Sequence, residues 1–378
     1  MPDVLIYADT VRSPELRHEV PLAIGDSFLY LEKDGRRAVA IHGLEIPRVR
    51  ADAPELEIIS TAELGEDELY EAGKRGLEVE LELIRRGCAK LGIDEAAVPP
   101  SFPLEVADFL RANGVAVTPD RDLFADRRRS KNENELRGIR NAQKACEAAL
   151  DRARDLMRRA EANGAVLEAD GEPLTSERLK QEIERVFADH NCEGSDMIVS
   201  HGPQSAVGHD AGSGQIRPNE PIVFDLFPKD KHTGCYADMT RTYVVGEPEE
   251  EVAAWYLHVK EALERSTREV KPGANGRALF ELVCRIFEDA GYKTVLSRQP
   301  GEVQEDGFIH GLGHGVGLEV HEQPLMGRTG HDFVPGDVIT IEPGLYRAGY
   351  GGLRLEDLVL VTDDGYEVIT DYPYDLTP

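Results

Sequence analysis

The stretch GFIHGLGHGVGLEVHEQP, residues 307–324, combines three histidines with closely spaced glycines. The 378-residue chain has only 11 histidines, yet His310, His314 and His321 fall within this one stretch. Glycines allow the backbone to approach a site closely, and an imidazole among carboxylates is a good ligand for Mn²⁺, Co²⁺ or Zn²⁺. The stretch therefore predicts a metal site. A phosphate-binding loop is the alternative, but no Walker lysine follows the glycines, and acidic neighbours would repel phosphate.

Four acids stand in two matching pairs on strand-like segments. Asp225 lies in PIVFDLF and Asp238 follows 13 residues later, while Glu342 lies in VITIEP and Glu356 follows 14 residues later. A carboxylate inside an apolar strand is unfavourable to bury unless it is paired or binds a metal. A single acid of this kind would be explained more simply by exposure to water or by a salt bridge to an arginine. Four acids at matching places instead predict a metal-binding group and a duplicated α/β unit.

The composition of the chain indicates which classes of partner and which cellular location to expect. With 71 acidic and 43 basic residues, its formal net charge is -28, which predicts repulsion of nucleic acids and anionic membranes. The five cysteines are scattered without a CxxC pair, a pattern typical of reduced thiols. The first residues do not resemble a signal peptide, and no run approaches the roughly 20 apolar residues of a membrane helix. We therefore expect a cytoplasmic protein without nucleic-acid or membrane partners.

Strand and helix patterns divide the chain into two parts. The first part alternates β-prone runs with amphipathic helices, and residues 27–43 are interpreted as a β-hairpin. The charged, aperiodic segment 120–131 is interpreted as a linker, and a long amphipathic helix is expected over about 132–164. We expect an α/β (α+β) protein with one domain over residues 1–125 and a second over residues 126–378.

These motifs together resemble the pita-bread metallopeptidase family, in its branch of Xaa-Pro dipeptidases (prolidases), aminopeptidases P and creatinases. The matching stretches are FDLF, YADMTRTYVVG, HGLGHGVGLEVHEQP, PGDVITIEPGLY and GGLRLEDLVLV. The resemblance covers residues 132–378 well, and the first 125 residues more loosely resemble the N-terminal domain of that branch. It implies a C-terminal pita-bread (creatinase/aminopeptidase-like) catalytic domain behind a smaller α/β creatinase-like domain.

Carried over residue by residue, the resemblance implies five metal ligands. They are Asp225, Asp238, His314, Glu342 and Glu356. It implies two divalent ions per chain, with Mn²⁺ favoured because hard oxygen ligands dominate, and with Co²⁺ or Zn²⁺ as alternatives. The loop between the first two ligands is longer than is usual in the family and holds a further acid, Asp230. We retain Asp238 because YADMTRT is the stretch that matches.

The resemblance also implies roles for residues around the ligands. Glu342 is expected to take the proton of the attacking water and pass it to the leaving nitrogen. His321 resembles the histidine that steadies the scissile carbonyl and the oxyanion. His310 is expected in the same pocket, and His209, in QSAVGHDAG, is expected to meet the substrate on the other side. For each of these three histidines a structural role is the alternative.

Two arginines complete the predicted site. Arg354 lies two residues before Glu356, so the two share a strand face, and it is expected to orient a ligand carboxylate. Arg328 lies 14 residues before Glu342, a spacing similar to that of the prolidase arginine that binds the C-terminal carboxylate of a dipeptide. A guanidinium group suits such a carboxylate, although a loop arginine is more often only surface charge.

The predicted function is hydrolysis of the Xaa-Pro peptide bond, most simply in dipeptides. The nearest alternative is an Xaa-Pro aminopeptidase that acts on longer peptides. A metal-free creatinase-like hydrolase and a non-catalytic pita-bread binding protein are further alternatives, but both usually lose ligands that this chain retains. The partners expected are a proline-containing dipeptide or short peptide and, from the resemblance, a second copy of the chain in a homodimer.

Overall fold

Helices and strands run through two separate units of the chain in the computed structural model, which describes residues 2–194 and 196–378. The units are Met1–Arg128 and Arg129–Pro378. The interpretation of each unit as a domain of its own stays a prediction. Among the described residues, every helix is too short or too polar to cross a membrane.

The first unit is built on one mixed sheet of six strands. Its strands are β1 (Val4–Ala8), β2 (Phe28–Lys33), β3 (Arg36–Ile41), β4 (Glu57–Ser60), β5 (Glu95–Val98) and β6 (Ala116–Pro119). Its helices are α1 (Pro14–Glu19), α2 (Ile46–Asp52), α3 (Glu66–Glu71), α4 (Leu77–Leu91), α5 (Leu104–Ala112) and α6 (Arg121–Arg129). The strand order is β4-β3-β2-β1-β5-β6.

The predicted hairpin supplies two inner strands of this sheet. Strands β2 and β3 pair antiparallel, and the turn residues Asp34 and Gly35 have φ values of 50° and 78°, as a tight two-residue hairpin turn requires. Successive side chains of these strands point to opposite faces. Leu29 therefore joins a core cluster that includes residues of α4 and α5, whereas Tyr30 joins one that includes residues of α1 and α2.

Helix α6 occupies most of the segment 120–131, which was interpreted as an aperiodic linker, and the boundary between the two units falls within this segment. The Asp120 carboxylate caps the helix by accepting from the Leu123 backbone N–H (2.9 Å). Arg127 then donates to Glu19 Oε1 (2.6 Å) and to Glu32 Oε2 (2.6 Å) within the first unit. Capping and ion pairs of this kind stabilise a helix without an apolar period, which is why hydrophobic spacing failed to indicate it.

Helices and strands alternate along the second unit. Its helices are α7 (Glu133–Arg158), α8 (Ser176–Asp189), α9 (Glu250–Thr267) and α10 (Gly276–Asp289), with a short 3₁₀ helix over Gly202–Ala206. Its first strands are β7 (Ala160–Asn163), β8 (Val166–Ala169), β9 (Glu172–Pro173), β10 (Cys192–Glu193), β11 (Ile198–His201), β12 (Pro221–Leu226), β13 (Lys229–Asp230) and β14 (Met239–Val244). The later strands are β15 (Gly313–Gly315), β16 (Glu322–Met326), β17 (Val338–Ile341), β18 (Gly344–Arg347), β19 (Gly351–Arg354), β20 (Asp357–Val361) and β21 (Tyr366–Val368).

Helix α7 starts where the sequence predicted it and ends earlier. Asn132 and Glu135 form a capping box, in which each side chain accepts from the backbone N–H of the other. The helix ends at Arg158 rather than near Gly164, because residues from Ala160 pair in the hairpin β7–β8. Gly164 has a φ of 63° in that hairpin turn. It therefore marks a turn and not a helix end.

The second unit repeats one order of elements. Helices α7 and α8 precede the antiparallel pair β12–β14, and helices α9 and α10 precede the antiparallel pair β17–β20. The first pair lies in the sheet β11-β12-β14, and the second lies in the sheet β16-β15-β17-β20-β21. Each pair carries two of the predicted acids at or beside its strand ends, in agreement with the duplication inferred from the sequence.

Candidate metal centre

The strand pairs hold the four acids in corresponding places. Asp225 lies on β12 opposite Thr240, and Asp238 directly precedes β14. In the second pair, Glu342 directly follows β17 and Glu356 directly precedes β20. The imidazole comes from β15, which pairs with β17 and carries His314 at its centre. Residues that are far apart in the sequence are thereby brought to one place.

The five predicted ligands line one cavity of about 750 Å³. Donor atoms of Asp238, His314 and Glu356 all lie within 4.8 Å of one another. His314 Nε2 is 3.7 Å from Asp238 Oδ2 and 3.6 Å from Glu342 Oε1. Asp225 lies in the same wall, where its carboxylate accepts from the guanidinium group of Arg354.

The carboxylates of this cavity carry more negative charge than the protein neutralises. Burial raises the pKa of Asp238 and Glu356 well above the ordinary range, and the neighbouring carboxylates raise both further. Burial also raises the pKa of Glu342 to about 7. Among the described residues, Asp238 Oδ1 is buried without a hydrogen-bond partner. Buried charges of one sign are unfavourable unless a cation compensates them, so this set of donors fits divalent metal ions.

His314 has the tautomer that a metal ligand needs. Its Nδ1–H donates to the backbone carbonyl of Gly315 (3.1 Å), which leaves the Nε2 lone pair directed at the carboxylates. Burial and the neighbouring His321 lower the pKa of His314 to about 4. The imidazole is therefore neutral at physiological pH and able to bind a metal through Nε2.

Arg354 connects two of the acids, because it contacts Asp225 directly and Glu356 through the hydroxyl group of Thr240. It donates from Nε to Thr240 Oγ1 (3.1 Å), and Thr240 Oγ1 donates to Glu356 Oε2 (2.6 Å). It also contacts Asp225 and donates to the Tyr346 hydroxyl (2.9 Å). This geometry fits the expectation that Arg354 orients ligand carboxylates. Sequence reasoning missed Thr240 and Tyr346, although Thr240 lies two residues after Asp238 in a matching stretch.

Comparison with known proteins adds a family assignment to this geometry. The family model described as metallopeptidase family M24 matches residues 137–363, which is more than half of the chain. The chain belongs to metallopeptidase family M24. The predictions of a pita-bread metallopeptidase and of a mixed α/β fold are therefore confirmed.

Curated relatives of this M24 peptidase include two archaeal enzymes. An Xaa-Pro dipeptidase from Pyrococcus furiosus is 34% identical over 253 residues, which cover 66% of this chain and 65% of the relative. An Xaa-Pro dipeptidase from Pyrococcus horikoshii is 33% identical over 288 residues, which cover 75% of this chain and 74% of the relative. The chain thus spans slightly less than two thirds of the length of the first relative.

Solved structures share the fold over nearly the whole chain. An Xaa-Pro dipeptidase from Bacillus anthracis superposes with a TM-score of 0.77 at 23% identity and covers 100% of this chain and 94% of its own. An X-Pro aminopeptidase from Thermotoga maritima has a TM-score of 0.78 at 21% identity and covers 99% of this chain and 97% of its own. At these identities the likeness shows the fold alone.

The three further histidines of the M24 centre differ in their surroundings. His310 donates from Nδ1 to the Gly311 carbonyl (2.7 Å), and its Nε2 accepts from the Tyr346 hydroxyl (2.9 Å). Burial lowers the pKa of His310 to about 3. The ring centroid of His321 lies 4.3 Å from that of His314. His209, His310 and His321 all line the cavity, and their roles toward a substrate stay predictions.

Two charged residues lie outside the group of ligands. Arg328 is exposed, does not line the cavity, and donates to the Val295 carbonyl (2.5 Å). Its role toward a substrate carboxylate stays a prediction. The loop acid Asp230 accepts from the Thr233 backbone N–H (2.7 Å) and from Asn141 Nδ2 (2.8 Å), so it holds the loop together and is absent from the cavity wall.

Proposed function

We propose that this M24 metallopeptidase hydrolyses the Xaa-Pro peptide bond of dipeptides, with two divalent metal ions at its centre. The observation that carries the proposal is the buried, uncompensated group of carboxylates beside a neutral imidazole. The identity of 33–34% to Xaa-Pro dipeptidases supports the choice of substrate. The proposed ligands are Asp225, Asp238, His314, Glu342 and Glu356.

The donor set supports hard divalent ions. Carboxylate oxygens outnumber nitrogen donors four to one among the proposed ligands, and oxygen-rich sites suit Mn²⁺, with Co²⁺ and Zn²⁺ as alternatives. When bound, such ions polarise the scissile carbonyl and lower the pKa of water to near neutrality. Arg354 and Thr240 hold Asp225 and Glu356 in place through the contacts described above. They therefore fix the geometry of the centre before a substrate arrives.

The protein's own groups carry the proton and steady the substrate. Glu342 Oε2 lies 3.8 Å from His310 Nδ1 and Glu342 Oε1 lies 3.6 Å from His314 Nε2, so Glu342 faces the reacting region. We assign to it the removal of a proton from the attacking water and its delivery to the proline nitrogen. His321 and His209 reach the cavity from separate segments and are assigned to hold the substrate, with His321 on the developing oxyanion.

His310 is assigned a positioning role beside these groups. Both of its ring nitrogens already have partners, since Arg354 donates to Tyr346, Tyr346 donates to His310, and His310 donates to a backbone carbonyl. A ring held in this way keeps one orientation and one tautomer. It forms part of the pocket wall next to Glu342 and limits the movement of that carboxylate.

An Xaa-Pro aminopeptidase acting on longer peptides is the second candidate. One observation favours it, because the guanidinium group of Arg328 bonds to the Val295 carbonyl outside the cavity and does not close it. The dipeptidase proposal requires Arg328 to turn toward the substrate carboxylate. If Arg328→Ala leaves the kcat/KM for Ala-Pro unchanged while Ala-Pro-Gly is cleaved equally well, the aminopeptidase candidate is favoured.

The first experiment compares the protein stripped with a chelator and the same protein after addition of Mn²⁺, with Ala-Pro as substrate. We expect release of proline only with metal, and no release by the Glu356→Ala variant. Metal content measured in parallel separates the outcomes. Two ions per chain without hydrolysis would retain the centre and contradict the substrate. No bound metal and no hydrolysis would favour a non-catalytic binding protein.

Assembly and location are further proposals. We propose a homodimer, which light scattering tests directly, since a mass of one chain would contradict it. We propose a cytoplasmic location because all five cysteines are buried and free, as expected of thiols in a reducing compartment. Secretion of the native protein with oxidised cysteines would contradict that location.

A further inference from the structure

A second cavity of about 470 Å³ lies directly beside the metal centre. We call it the side cavity, and its wall includes Glu193, Asp196, Phe227, Lys229, Tyr236 and Val320. Three of these residues, Asp196, Phe227 and Val320, also line the cavity of the metal centre. Phe227 lies two residues after the ligand Asp225, and Val320 immediately precedes His321. A substrate at the metal centre would therefore extend naturally toward the side cavity.

Backbone hydrogen bonds fix the frame of the side cavity. Strands β10 and β13 pair antiparallel, with Glu193 opposite Lys229. Lys229 also forms a β-bridge with Tyr236, whose backbone N–H donates to the Gly317 carbonyl (2.8 Å). Gly317 belongs to the same glycine-rich loop that carries His314 and His321. The wall of the side cavity is thus tied to the loop that shapes the metal centre.

The charges of the side cavity leave one carboxylate in excess. Lys229 Nζ lies 2.6 Å from Glu193 Oε1 and 5.8 Å from the ring centroid of Tyr236, so Lys229 and Glu193 neutralise each other. Over residues 2–194 and 196–378, no cation forms an ion pair with Asp196, which is exposed in the wall shared by the two cavities. The net charge of the wall is therefore negative, beside the apolar surfaces of Phe227 and Val320.

We propose that the side cavity receives the side chain of the residue before proline, and that Asp196 selects a basic side chain there. The inference rests on the proposed function, whose substrate it makes more specific. A lysine or arginine has an apolar stem and a charged head. The stem would pack on Phe227 and Val320, while the head would pair with Asp196.

Charge also determines which end of the substrate enters. The proline end of an Xaa-Pro dipeptide carries the free carboxylate, which the negative wall would repel. The end before proline carries the free α-amino group, which is not repelled, and the variable side chain, which is repelled only when it is acidic. The volume of the side cavity lies within the range of roughly 300–1,000 Å³ that is common for small-molecule sites, which is ample for one long side chain.

The test compares Lys-Pro with norleucine-Pro, which has the same stem without the charge. We expect the wild-type protein with Mn²⁺ to have a kcat/KM about fivefold higher for Lys-Pro at low salt, as a partly exposed ion pair allows. Asp196→Asn should reduce this ratio to about one, and Asp196→Lys should favour Glu-Pro instead. Asp363→Asn, an exposed acid outside both cavities, is the matched control and should retain the wild-type ratio.

Two results would overturn the inference. One is absence of a preference that depends on Asp196, seen either as equal kcat/KM for Lys-Pro and norleucine-Pro in the wild type or as a wild-type ratio retained by Asp196→Asn. The other is a preference for Glu-Pro that Lys229→Met abolishes, because Lys229 would then be the selecting residue. Calorimetric titration with the same dipeptides separates this inference from the proposed function. Tighter binding of Lys-Pro without hydrolysis of any dipeptide would retain the inference and contradict the proposed function.

Discussion

Two buried clusters of charge lie back to back on β14 and β20, and they differ in their balance. On one face, Thr240 and Glu356 belong to the metal centre, where carboxylates outnumber cations. On the other face, Arg241 pairs with Asp357 (2.9 Å), and both side chains are almost fully buried. Arg241 also donates to four backbone carbonyls, those of Thr240, Glu356, Tyr372 and Pro373. We call Arg241 and Asp357 the balanced pair.

The comparison shows how two strands from different sheets contribute to stability and function at once. The balanced pair satisfies its charges within the chain, so it needs nothing from outside. The metal centre leaves its charges unsatisfied, so its stability depends on an external cation. Since alternate residues of a strand point to opposite faces, neighbours in the sequence take opposite roles. Each prediction below alters a residue of the metal centre or of the balanced pair.

The largest effect is expected from Glu356→Gln. Loss of a ligand should lower kcat/KM for Ala-Pro by at least about a thousandfold and reduce the metal content. The unfolding free energy of the metal-free protein should stay equal or rise, because one repelling carboxylate is gone. Urea unfolding in excess chelator measures this. A substantial loss of stability without metal would show that the centre is balanced internally, contrary to the comparison.

Arg241→Met should reverse this pattern, with a large loss of stability and unchanged metal binding. Removing the cation leaves Asp357 buried without its partner, which should reduce the unfolding free energy by about 3–5 kcal/mol. The fraction that remains folded should still bind metal in the wild-type ratio. Arg265→Met is the control, because Arg265 pairs with Glu261 on the exposed surface of α9 (2.9 Å). That change should cost less than about 1 kcal/mol. Equal losses in the two variants would contradict the prediction.

The unfolding free energy should depend on pH differently in the metal-free and the metal-loaded protein. Glu342 has a folded-state pKa of about 7, above its ordinary value of 4.5. Between these values the folded chain binds more protons than the unfolded chain, so the unfolding free energy attributable to Glu342 rises as the pH falls from about 7 toward 4.5. We expect a contribution of about 1–3 kcal/mol. Melting curves of metal-free wild type and Glu342→Gln measure the difference, which should disappear when metal is bound.

The smallest effect is expected from Thr240→Val. The hydroxyl group of Thr240 connects Arg354 to Glu356, so its loss should weaken metal affinity about 10- to 100-fold. Thr242→Val is a matched control two residues along the same strand. Within residues 2–194 and 196–378, the Thr242 hydroxyl bonds only to the backbone carbonyl and N–H of Arg354, and its loss should reduce stability without altering metal affinity. Equal effects on affinity, measured by competition with a chelating dye, would contradict this distinction.

The sequence predicted the cavity residues better than the contacts between them. Acids inside apolar strands and a histidine in a glycine-rich stretch stand out because burial makes them unfavourable without a ligand. The four acids Asp225, Asp238, Glu342 and Glu356 therefore stood out from the sequence, whereas His314 was chosen among three histidines through the family resemblance. All five line one cavity. Helix α6 was not predicted and the end of α7 was predicted wrongly, since ion pairs, caps and hairpin pairing determine these features rather than hydrophobic period.

Other features could not be predicted because they depend on distant partners. The hydroxyl of Thr240 matters only through Arg354 and Glu356, more than 110 residues later in the sequence. The position of Arg328 depends on a carbonyl 33 residues earlier. The side cavity is formed by segments around residues 193, 229, 236 and 320. Spacing within one segment contains no information on such pairings until the fold brings the segments together.

The distribution of the ligands over two sheets has a consequence for the order of folding. Asp225 and Asp238 belong to the sheet of β12 and β14, whereas His314, Glu342 and Glu356 belong to the sheet of β15, β17 and β20. Contacts between residues so far apart in sequence form late, since long loops must close first. A half-folded intermediate would present only part of the coordination shell. Metal uptake during refolding should therefore report completion of the second unit, and a proteolytic fragment with a single sheet should lose tight binding.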